Sequence, residues 1–278
     1  MPPRIFKNIE YVAVVMVAAI AAMVYYSMTV LWPTIVGTVY TTNVMSIGWQ
    51  SSVIGGGTLL GQSVSGFAIS YVPKTKIQTV TAATLAAIFI ASLASISPDM
   101  HAGFIALGVL ATFCIGYVDN ITFPGVTMLV EAQDIGLATG ALGSIRAMGG
   151  AIAQALYVSI LQTKVAQYLP ANVSPAATQA GLPQSSLPAL FTAITAGNLT
   201  TVPGITPAII AVVGQEVQKS YVESFRIVFY ATIPFGVLLI IFAALVPNME
   251  KYLQGNVARR LQAKETKRPT KNEEADSV

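Results

Sequence analysis

Charge is scarce in this sequence. Only 10% of its 278 residues are Asp, Glu, Lys or Arg, while 54% are hydrophobic. A soluble domain carries about 25% charged residues, so this chain has too few to cover a water-facing surface. Histidine and cysteine are scarcer still, at one each, His101 and Cys114. A single cysteine excludes an internal disulfide. A single histidine excludes a histidine pair on haem and any multi-histidine metal site. No cofactor or metal is expected. The net charge is only +3, and no basic stripe alternates with aromatics, so no nucleic-acid partner is expected.

The charges that exist leave long gaps. None falls between Glu10 and Lys74, between Lys76 and Asp99, or between Arg226 and Glu250. A helix rises about 1.5 Å per residue, so about 20 apolar residues cross a hydrocarbon core of about 30 Å. Lipid offers no partner to backbone groups, and the runs do not alternate as barrel strands would; helices are therefore expected. Six spans are predicted: Tyr11 to Trp32, ending at Pro33; Gly48 to Tyr71; Ile77 to Ile96; Ala102 to Val130, with Pro124 as a kink; Ile135 to Thr163; and Ile227 to Val246. The start, MPPRIFKN, lacks the pattern of a cleavable signal, and the first apolar run reads as a span.

This gives a cytoplasmic segment over 1–10, five helices over 11–163, a long extracytoplasmic connection with short helices over 164–223, a sixth helix over 224–247, and a basic tail over 248–278, expected to be disordered. The basic residues set the orientation. Arg4, Lys7, Lys74, Lys76 and the tail residues Lys251, Arg259, Arg260, Lys264, Lys267, Arg268 and Lys271 fall on one side, which is read as cytoplasmic. Only Lys164, Lys219 and Arg226 fall on the other. Trp32 and Trp49 sit near span ends, as in an interfacial aromatic belt. The long connection turns helix-like from Thr206 to Tyr221 and carries two glycosylation-type sequons, at Asn172 and Asn198.

The second and fifth spans are rich in small residues. Gly57 and Gly61 form a GxxxG pair; Gly143, Ala147, Ala151 and Ala155 form a ridge at four-residue spacing, with Gly149 and Gly150 nearby. Small residues let helix backbones approach closely in lipid. They serve either ordinary packing or the rocking of one bundle on another. The feature recurs in the middle helix of each set of three, which suggests two repeats of opposite topology.

Two ionisable residues lie inside spans. Arg146 is about 16 Å beyond Ile135, and Asp119 about 18 Å before Glu131, so the two share a depth on consecutive antiparallel helices. Charge at mid-membrane costs about 3 kcal/mol or more on insertion scales, and is usually paired or faces water. Either a static ion pair or a substrate or proton site fits. Asn120, Gln62, Gln154, Tyr25 and Tyr26 are further candidates for a polar pathway; singly, each suits a helix–helix hydrogen bond as well. An intramembrane enzyme has little support, with His101 in a loop and no pair of membrane aspartates.

Taken together, PRIFKN, Tyr25-Tyr26-Ser27, Val30-Leu31-Trp32-Pro33, Ile47-Gly48-Trp49, Ile135-Gly136-Leu137-Ala138-Thr139-Gly140, Ala196-Gly197-Asn198-Leu199-Thr200, Val202-Pro203-Gly204 and Ser224-Phe225-Arg226 resemble the C-terminal six-helix half of the major facilitator superfamily. The likeness is to fungal trichothecene efflux pump-like and siderophore-transporter-like drug:proton antiporters. It implies an all-α membrane protein, six helices as a 3+3 inverted repeat, in a fungal plasma membrane. It also implies proton-driven export of small organic molecules. The superfamily's first half, which holds the principal proton-coupling motifs, has no counterpart in these residues. A second six-helix bundle, or a homodimer, is therefore an expected partner beside lipid and substrate. The competing expectation is a truncated, non-transporting membrane protein that pairs with or regulates a full-length transporter.

Overall fold

The computed structural model describes residues 5–72, 74–197 and 199–249. Arg4, Asn198 and the tail from residue 250 onward lie outside the described residues. Among those described there are seven α-helices: α1 (Ile9–Ile35), α2 (Val44–Tyr71), α3 (Thr75–Ser92), α4 (His101–Met128), α5 (Ile135–Gln179), α6 (Leu187–Ala196) and α7 (Pro207–Leu245). All but α6 are long enough to span a bilayer. Five helical segments are also apolar enough, Ile9–Tyr40, Thr75–Ser95, Pro98–Met128, Ala132–Gln179 and Pro207–Leu245. The predicted second span is the exception. At 28 residues α2 has the length, but its glycines and serines dilute it.

Local chemistry fixes the helix starts. Asn8 accepts hydrogen bonds from the amides of Glu10 and Tyr11, and Asn43 from those of Met45 and Ser46. Thr206 caps α7 through Ile209 N, with Pro207 in the first turn. Helix α1 passes through Pro33 and ends in a wider turn, Val36–Tyr40, closed by Thr41 N donating to Val36 O.

Helix α1 is the hub. It packs on α2, α4, α5 and α7, while α3 packs on α4 and α7. Helices α2 and α5 flank this centre and are not packed extensively on each other. The bundle is filled by one cluster toward the Asn8 end, including Tyr11, Ile115, Val118 and Leu142. A second lies toward the Thr41 end, including Trp32, Phe104, Tyr157 and Phe225.

The connection over 164–223 differs from expectation. Helix α5 does not stop at Thr163 but continues to Gln179, and α7 begins at Pro207 instead of Ile227. At 45 and 39 residues, these helices are about 68 and 58 Å long, about twice a hydrocarbon core. Their far ends and α6 form a separate helical cap around Val173, Ala177, Leu190, Val202, Ile209 and Val213. Pro170 and Pro175 are exposed on α5, so their rings cost backbone hydrogen bonds but no packing. Asn172 Nδ2 donates to Ser220 Oγ and Glu223 Oε2 across the cap, each at 3.1 Å. Its amide is thus engaged on a helix, unlike an open glycosylation acceptor.

Trp32 is also a correction. It is fully buried, stacked on Phe104 at 4.5 Å, with Nε1 donating to Gln50 O. Gly108 makes room for the indole: a Cβ there would fall 2.2 Å from the ring. Trp49 does stand out, at 79% exposure.

Candidate functional site: a buried ion pair between α4 and α5

The antiparallel run of α4 into α5 brings the two intramembrane charges together. Arg146 Nη2 lies 2.5 Å from Asp119 Oδ2. The Asp119 side chain is 1% exposed and that of Arg146 14%. The guanidinium also lies over the Phe123 ring, 5.2 Å from its centroid; cation–π contacts gain strength when desolvated. Phe123 is one helical turn beyond Asp119 and faces outward. The arginine is therefore held by a carboxylate behind it and an aromatic face at the surface.

The carboxylate is only half satisfied. Asp119 Oδ1 is buried and has no hydrogen-bond partner among the described residues. Leaving a buried acceptor unmade costs about 1–3 kcal/mol, and more when it is charged. Such an oxygen can accept a hydrogen bond from a ligand hydroxyl or take up a proton. Among the described residues no group of three or more His, Cys, Asp or Glu side chains comes together.

The other candidates spread around this pair. Tyr26 lies on Gly150, one turn beyond Arg146: a Cβ on Gly150 would meet the Tyr26 ring at 2.2 Å. Tyr25 packs edge-on to Tyr26 at 5.5 Å. Tyr26 is outward and Tyr25 half-buried. Asn120 points the other way, toward α2, where Gly66 would place a Cβ 3.6 Å from its Nδ2. Gln62 and Gln154 are half-buried on α2 and α5, the two flanks of the bundle, and are not drawn into one cluster with the ion pair.

The small residues divide sharply. Gly57 and Gly61 face α4: a Cβ on Gly61 would fall 2.0 Å from Phe113 O, and one on Gly57 2.3 Å from Thr112 Oγ1. Gly116 answers from α4, 2.1 Å from Thr58 O by the same construction. By contrast Ala147, Ala151 and Ala155 are exposed, and Gly143 has open space beside it. One stripe packs the bundle internally and the other is left outward.

A cluster the sequence did not reveal ties α1, α2 and α4 at the opposite end. His101 Nε2 is 2.8 Å from Gln50 Oε1, and its ring stacks on Tyr40 at 4.5 Å. The Tyr40 hydroxyl donates to Ser97 O. Gly108, whose missing side chain admits Trp32, was the available signal.

The helices of this bundle have the fold of a major facilitator transporter. Its fold matches a solved bacterial homologue of the human lysosomal transporter Spinster, in an inward-facing and occupied conformation. The TM-score is 0.58 at 16% identity, over 91% of this chain and 52% of that one. The chain belongs to the family of fungal trichothecene efflux pumps (TRI12), which it matches over residues 1–277. It is 26% identical to the trichothecene efflux pump TRI12 of Fusarium sporotrichioides, over 94% of this chain and 45% of that protein. It is 25% identical to the MFS-type transporter prx5 of Penicillium rubens, over 82% of this chain and 42% of that protein. The chain thus spans less than half the length of these relatives. It is an integral membrane protein.

Proposed function

We propose that this chain forms one wall of a secondary efflux transporter for small organic molecules, with the Asp119–Arg146 pair as its polar centre. The observation that carries this reading is the unpartnered Asp119 Oδ1 inside an ion pair within the membrane-spanning bundle. An idle carboxylate oxygen is costly in low dielectric, which favours a partner outside the described residues. A substrate hydroxyl or an exchangeable proton would occupy it. Tyr26, Phe123 and Arg146 then form the edge a planar or apolar substrate meets first, with Asn120, Gln62 and Gln154 further along the pathway.

The outward ridge of Gly143, Ala147 and Ala151 supports a second six-helix bundle on that side, since small residues favour close helix contact. In transporters of this kind, sites lie at repeat interfaces and are exposed by rocking. The basic bias supports cytoplasmic termini with the helical cap outside, and export of small molecules from the cell would take place at the plasma membrane. The relatives' names point to trichothecene-like toxins as cargo, and the resemblance to drug:proton antiporters suggests a proton gradient as the driving force.

The test is accumulation of a labelled trichothecene in a toxin-sensitive yeast expressing this chain with the N-terminal half of a TRI12 relative. Lower accumulation with wild type, lost with Asp119→Asn, is expected. Equal accumulation with wild type and with Asp119→Asn would reject the role of the pair. No effect in any pairing would favour the non-transporting reading.

A further inference from the structure

The arginine of the ion pair has hydrogen-bonding capacity to spare. A guanidinium carries five N–H donors. Toward the described residues Arg146 spends one of them, from Nη2 to Asp119 Oδ2. A bidentate contact would have used both carboxylate oxygens, yet Oδ1 is bypassed. The Tyr26 hydroxyl, whose ring rests on Gly150 one turn further along α5, likewise makes no hydrogen bond to the described residues. The two charges also differ in exposure, 14% for the Arg146 side chain against 1% for that of Asp119. Phe123, under the guanidinium, and Tyr26 both stand outward. This face therefore offers unspent donors and aromatic surface, and keeps its acceptor behind them.

We infer that this face recognises an uncharged molecule by a carbonyl-type oxygen, which accepts from the free N–H groups of Arg146 while the flat or apolar body lies against Phe123 and Tyr26. This rests on the reading of the face as the lining of a transport pathway, and adds the chemistry of the cargo. The planar fork of a guanidinium suits a planar acceptor. Charge excludes the alternatives. Asp119 and Arg146 already sum to zero, so an ion of either sign would leave a net charge at a depth where charge is costly. A cation would in addition meet the guanidinium before the hidden carboxylate. A molecule carrying only donors would find its one acceptor, Asp119 Oδ1, buried.

Nitrogen NMR of the purified, arginine-labelled chain in micelles, titrated with acetophenone, benzoate and benzyltrimethylammonium, tests it. The three probes share a ring and differ in the head group. The Arg146 signals are assigned by their loss in the double variant Asp119→Asn with Arg146→Gln, and those of Arg226 by their loss in Arg226→Lys. Saturable shifts of Arg146 with acetophenone are expected, with benzoate binding at least about tenfold more weakly and benzyltrimethylammonium giving no shift. Phe123→Ala removes an outward ring and leaves the ion pair, so the fold is kept; it should weaken acetophenone binding about threefold. Equal affinity for acetophenone and either ion would overturn the inference. So would no Arg146 shift with any probe, equal shifts at Arg226, or a Phe123→Ala chain that binds as the wild type does. Export failing in the yeast assay while Arg146 still shifts with acetophenone would reject the pathway and keep the acceptor site; export with no Arg146 shift would do the reverse.

Discussion

Removing one member of a buried ion pair such as Asp119 and Arg146 typically costs about 3–5 kcal/mol, since a lone charge is left behind. Asp119→Asn and Arg146→Gln should each show that loss in denaturant titrations of the purified chain. The double change should cost less than their sum; strictly additive losses would exclude direct pairing. The pairing was legible as matched depth on two antiparallel helices. Its incompleteness was not, because an unfilled carboxylate oxygen depends on where every neighbouring side chain points. The glycines make a second contrast. The stripe of Gly57 and Gly61 was readable, but not which helix it meets. The Phe113 carbonyl lies 2.0 Å from a Cβ at Gly61, whereas space is open at Gly143. Gly61→Val must therefore push α2 from α4, an overpacking effect of about 1–3 kcal/mol or more. Gly143→Ala should leave the chain's own stability unchanged. A comparable loss at both positions would mean that the two stripes do not differ in partner.

At the scale of helices, hydropathy found the spans and misjudged their ends. Helix α3 runs nearly as predicted, ending at Ser92 with a tighter turn, Leu93–Ser95, ahead of Pro98. Helix α7 was truncated by the same logic that located it. Glu216, Lys219, Glu223 and Arg226 interrupt the apolar run, yet the helix continues through them. Thr206 and Pro207, a cap followed by a first-turn proline, marked the true start. The charges are accommodated outside the apolar core: Glu216 meets Lys219 at 3.5 Å, Glu223 accepts from Asn172, and Arg226 donates to Ile96 O. Trp32 was misplaced for a related reason, because composition near a span end does not say which face is buried. The cap's side of the membrane follows from the basic residues alone. Ser185 is exposed on it, so Ser185→Cys in a Cys114→Ala background reports that side. Labelling by an impermeant maleimide in intact cells is expected; labelling only after permeabilisation would invert the orientation.

For the molecule as a whole, the decisive feature is asymmetry between its faces. Helix α1 is surrounded, with α2, α4, α5 and α7 against it, and α3 with α7 closes one side. The opposite side carries Tyr26, Phe123, half-buried Arg146 and the bare ridge of Ala147 and Ala151. In lipid, small residues with no facing backbone forgo close packing, and polar groups there are costly. A single bundle also offers one wall, and exposing a site alternately to two sides needs a second body to move against. The 278-residue chain, purified as a monomer and reconstituted into proteoliposomes, is therefore expected to show no saturable uptake of a trichothecene under a proton gradient. Uptake should emerge when a second six-helix bundle is co-reconstituted, or when the chain is driven to dimerise. Gly143→Leu and Ala147→Leu, harmless to the isolated bundle, should then abolish it by blocking the ridge. Saturable transport by a demonstrated monomer would show that one wall suffices and would remove the need for a partner. Transport by the assembled form that persists through both ridge substitutions would place the partner on another face.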